Sequence, residues 1–183
     1  MDLAFVISTT AVDKDKNLDA TKEIIKKTVE AFGLSRVRYS LITFGATPVV
    51  KIRFNNVFAS EEELGKIVDN VKKDEGAASL EKALEEPRYL FALAEDTRPN
   101  AKRVVVVITD KKSDSTEASV RAASRKLRDD GVRVIAIVLG NEFDPVSPEV
   151  IKPDEEQRPT VIVKELVIVV LNGMFQFQVL LQF

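Results

Sequence analysis

Five consecutive β-branched residues, Val104-Val105-Val106-Val107-Ile108, constrain the fold of this chain more than any other feature. An uninterrupted apolar run of that length reads as a strand buried on both faces, inside a parallel sheet with helices on each side. The surrounding segments fit such a sheet. Leu3 to Ile7 is a short apolar run suited to a second buried strand. Asn17 to Phe32 carries Leu18, Ile24, Ile25, Val29 and Phe32 on one helical face and stops at Gly33. Val37 to Phe44 alternates and ends at Gly45, and Val49 to Phe54 alternates again, which predicts an antiparallel hairpin.

Further along, Ser60 followed by Glu61, Glu62 and Glu63 predicts an N-cap with a capping box, opening a helix to about Val71. Leu80 to Ala94 has helical periodicity, in which Pro87 predicts a kink or a restart. Thr116 to Asp130 reads as a helix closed by Gly131, and Val132 to Leu139 as another buried strand. Strands alternating with helices of this length imply a doubly wound α/β fold, mostly parallel with one antiparallel edge strand. Ligands of such sheets sit beyond the carboxyl ends of the strands, here Ser8 to Val12, Gly76 to Ser79 and Asp110 to Ser113.

Composition excludes several functions. The 183 residues fit one domain, with 27 basic and 29 acidic side chains and a formal charge of −2. That balance gives no electrostatic case for nucleic acid or for an anionic membrane. Histidine and cysteine are both absent, which removes the commonest general base, thiol nucleophiles, disulfides and the usual zinc ligands. No G-x-G-x-x-G follows the first strand and no Walker A run occurs, so nucleotide binding lacks its phosphate cradle. An enzyme or small-ligand carrier built on Ser8, Thr10, Asp110 and Lys111 is the weakest reading. The first residues read directly as a strand, so any signal peptide lies outside this chain.

The run Asp2-Leu3-Ala4-Phe5-Val6-Ile7, the polar loop after it, the helix from about Asn17, and Val104 to Asp110 resemble the von Willebrand factor A family. So do Tyr39 to Gly45 and Val132 to Gly140, and the likeness covers about residues 2 to 165. The resemblance implies a metal-ion-dependent adhesion site: D-x-S-x-S in the first loop, a threonine in the second, and T-D-G after the fourth strand. Together these would hold magnesium through oxygen ligands, with a partner's acidic residue completing the shell.

That site is degenerate here. Ser8 stands at the aspartate position, Thr10 and Val12 at the two serines, Ala78 at the threonine, and Lys111 at the glycine. Asp110 is the one clear survivor. One carboxylate and one hydroxyl do not replace magnesium's hydration shell, and a lysine ammonium repels a cation. The expectation is therefore no cofactor, with weak residual magnesium or calcium at Thr10 and Asp110 as the upper bound. Asp13 and Asp15 read as a solvated loop before a helix, with Asp15 or Asn17 as N-cap, the alternative being a calcium site that the two carboxylates rescue. Asp110 fits a remnant of the site or a strand-end carboxylate bonded to amides or to Lys111 or Lys112. Lys72-Lys73 and Lys111-Lys112 read as ordinary solvated surface, and Phe54, Phe58, Tyr89 and Phe91 as core.

Beyond residue 165 the pattern changes. Leu166 to Leu171, then Asn172-Gly173, then Met174 to Val179 reads as a hairpin about a type I′ turn, the alternatives being an anchor remnant or sequence not native to the fold. Polar residues at Asn172, Gln176, Gln178 and Gln182 interrupt every window that would span a membrane. Residues 1–165 are thus expected to form the domain and 166–183 a β-prone extension. The family resemblance implies a non-catalytic, metal-independent module for protein binding, adhesion or matrix contact, in an extracellular setting. The alternative is a structural, self-assembling protein in which Leu166 to Phe183 forms the interface between copies.

Overall fold

The computed structural model describes residues 1–10, 15–74, 76–93, 96, 98–109 and 114–139. Among these residues five strands form one sheet: β1 (Asp2–Ser8), β2 (Arg38–Phe44), β3 (Pro48–Ile52), β4 (Arg103–Thr109) and β5 (Arg133–Val138). Their order is β3-β2-β1-β4-β5, with β3 antiparallel to β2 and every other pairing parallel. Four helices connect them: α1 (Asp15–Phe32), α2 (Glu61–Asp69), α3 (Leu80–Ala92) and α4 (Glu117–Asp129). The β2–β3 hairpin aside, every connection between these strands carries a helix. This is the doubly wound α/β architecture expected from the sequence.

Alternation along β1 divides the core in two. Leu3, Phe5 and Ile7 pack with Ile25 and Val29 of α1 and Leu64 and Val68 of α2. Ala4 and Val6 face the other way, toward Leu84 and Phe91 of α3 and Val120 and Leu127 of α4. Each β1 residue from Asp2 to Ile7 has partners on both sides, Phe5 lying between Leu41 and Val106. A slip of one residue would exchange the two faces, so the burial of both fixes the register.

Local chemistry ends the helices much as the sequence predicts. Ser60 Oγ accepts the Glu63 amide at 3.3 Å, while the Glu63 carboxylate takes the Ala59 amide at 2.7 Å rather than that of Ser60 itself. Thr116 caps α4 by accepting from the Ser119 amide at 3.2 Å. Three expectations need correction. Helix α1 already begins at Asp15, which leaves Asn17 inside it rather than at its cap. Of the two alternatives at Pro87 the restart is ruled out, since helix α3 runs unbroken from Leu80 to Ala92 with Pro87 buried inside it. Tyr89 is 62% exposed and is not core, whereas Phe54 and Phe91 are buried and stack at 4.9 Å. The expected β-rich extension, 166–183, lies outside the described residues.

Two buried carboxylates hold distant segments together. Asp2 accepts from Arg98 Nε at 3.0 Å and Nη2 at 2.7 Å. Asp96 accepts from Arg53 Nε at 3.2 Å and Nη2 at 2.8 Å. Both aspartate side chains are fully buried and both arginines reach toward solvent, so each carboxylate is matched by a charge that stays partly hydrated.

Candidate functional site

The carboxyl ends of β1 and β2 meet the α2–α3 and β4–α4 loops at one end of the sheet. Thr9 donates to Phe44 O through its amide at 3.0 Å and its hydroxyl at 3.2 Å. The Asp74 amide donates to Thr9 O at 2.8 Å, and the Ser79 amide to Gly45 O at 2.9 Å. Across the second loop, the Asp114 amide donates to Ala78 O at 2.9 Å and the Ala78 amide to the Asp114 carboxylate at 2.5 Å. Backbone groups therefore stitch the loops to one another, as buried peptide groups require.

The structure brings Ser8 and Thr10 together, their hydroxyl oxygens 3.4 Å apart and both residues buried. Ala78 is also buried, but it belongs to the apolar cluster that contains Ile42, Phe44 and Leu84. A threonine there would have to place its hydroxyl beside those side chains. Val12, Asp110 and Lys111 lie outside the described residues, as does Asp13.

Asp74 is a neighbour that sequence reasoning missed. A Cβ built on Gly45 would lie 2.9 Å from Asp74 Oδ2 and 3.0 Å from Thr10 Cγ2, so a side chain there would require those two side chains to shift. Sequence spacing carries no signal for this approach, because Thr10, Gly45 and Asp74 come from three separate segments. Among the described residues no group of three or more His, Asp or Glu side chains is placed to hold a metal ion. No helix among them is long and apolar enough to cross a membrane.

Comparison with known proteins agrees with this architecture. Residues 2–167 match the von Willebrand factor type A domain. The collagen alpha-4(VI) chain of Mus musculus is 28% identical over 74% of this chain, and the collagen alpha-5(VI) chain of the same organism 24% identical over 77%. This chain spans only 6% and 5% of those two proteins. Proximal thread matrix protein 1 from the mussel byssus superposes with a TM-score of 0.71 at 23% identity, covering 82% of this chain and 40% of that one. A second structure of that protein, with a zinc-occupied MIDAS motif, gives 0.65 at 22% identity, covering 76% and 36%. Manganese-loaded TRAP protein of Plasmodium vivax gives 0.67 at 16% identity, covering 79% and 59%. With the match spanning nearly the whole chain, this protein belongs to the von Willebrand factor type A domain family, and its adhesion-site motif is degenerate.

Proposed function

We propose that this chain is a non-catalytic structural domain of a matrix-type protein, joining protein partners and copies of itself without a metal ion. The observation that carries the reading is its similarity, over about three quarters of its length, to two collagen VI chains. The fold shared with a mussel thread matrix protein supports the same setting, which is extracellular. In this reading the apolar segment Leu166 to Phe183 supplies the contact between copies, since a large apolar side chain gains about 1.5–3 kcal/mol on burial. Sedimentation of the whole chain is expected to show concentration-dependent association that Phe175→Ser with Phe177→Ser abolishes. A monomer at every concentration would sink the assembly reading.

The metal-free site belongs to the same proposal. Ser8 supplies no carboxylate and Ala78 no hydroxyl where the family's motif has them, and the remaining hydroxyls do not replace magnesium's hydration shell. Titration calorimetry with magnesium, manganese or calcium is expected to give no saturable heat, and the melting temperature is expected to be indifferent to chelator. A melting temperature that falls by several degrees in EDTA would overturn this part.

A further inference from the structure

A cleft of about 290 Å³ opens beside the loops just described, between the β2–β3 hairpin and the end of α2. Lys51 enters it from β3, Lys72 and Lys73 from the segment after α2, and Val49 and Thr43 also line it. The sequence reads Lys72-Lys73 as ordinary solvated surface. The fold changes that by setting a third lysine beside them.

Lys51 owes its position to an irregularity in the sheet. Leu41 pairs with Ile52 and Ile42 with Val50, so the register steps over Lys51. Bulges of this kind re-aim a side chain, at the cost of local pairing. None of the three lysines makes an ion pair or a side-chain hydrogen bond among the described residues. Val49, 46% exposed, adds an apolar surface, and Asp74 is the acidic residue in the lining.

We infer that this cleft binds a short acidic peptide segment of a partner protein, its carboxylates held by Lys51, Lys72 and Lys73 and a neighbouring apolar side chain seated on Val49. Among the described residues three ammoniums and one carboxylate line the cleft, which makes this lining positive in a chain whose formal charge is −2. Opposite charge at short range then favours a carboxylate. The exposed side chain of Val49 fits a peptide better than a sulfated sugar, which presents no comparable apolar side chain. The inference rests on the preceding reading only in taking the partner to be a protein.

The test uses the whole chain and a fluorescein-labelled peptide, Ser-Gly-Leu-Glu-Glu-Leu-Gly-Ser, followed by anisotropy. The combined variant Lys51→Gln, Lys72→Gln, Lys73→Gln is expected to bind it at least about tenfold more weakly. All three side chains are exposed, so melting of the variant is expected to match that of the parent, which separates lost binding from lost folding. The parent should prefer this peptide to its Gln-Gln counterpart and lose affinity as salt rises. Equal binding of both peptides, or an unaffected triple variant, overturns the inference. Tighter binding of a heparin oligosaccharide through the same lysines overturns it too, and leaves the self-association measured by sedimentation untouched.

Discussion

Arg98→Ala is expected to destabilise the fold by about 3–5 kcal/mol, because it leaves the fully buried Asp2 carboxylate without its guanidinium. Much of that loss comes from the abandoned charge rather than from the missing contact. Replacing both partners with apolar residues, as in Asp2→Leu with Arg98→Met, is therefore expected to recover a large part of it. Chemical denaturation of the three proteins checks the point. If the double variant is no more stable than Arg98→Ala, the buried charge is not the cause.

Phe54→Ala is expected to cost about 3–5 kcal/mol, the usual range for removing a buried aromatic ring. Phe54 is 1% exposed, stacks on Phe91 at 4.9 Å, and lies in the cluster formed by α3, α4 and one face of the sheet. The Arg103 guanidinium sits 5.6 Å from the centroid of the Phe91 ring, so Phe91 is held from two sides. Phe54→Leu fills more of the space and is expected to lose clearly less. Equal losses for the two variants in denaturant melts would show that the cavity is not what sets the cost.

The two sides of the core could be read from local periodicity. The unbroken apolar runs Leu3 to Ile7 and Val104 to Ile108 identify strands buried on both faces, because a strand's side chains change face at every residue. Ser60 and Thr116 announce their helices through side chains that reach only three residues ahead. The degeneracy of the adhesion-site motif is likewise a local matter, visible without coordinates.

Tertiary structure decided what depends on segments far apart in the chain. Arg98 reaches Asp2 across 96 positions, and Arg53 reaches Asp96 across 43, pairings with no local pattern to announce them. Exposed Tyr89 and buried Pro87 lie on one helix whose periodicity did not settle which face each would take against the sheet. Packing likewise assigned the methyl group of Ala78 to an apolar cluster with Ile42, Phe44 and Leu84. The same holds for Lys51, which a shifted strand register carries to the cleft that Lys72 and Lys73 share. Periodicity fixes which face of an element is apolar; only the closing of the sheet and its loops fixes which polar groups then meet.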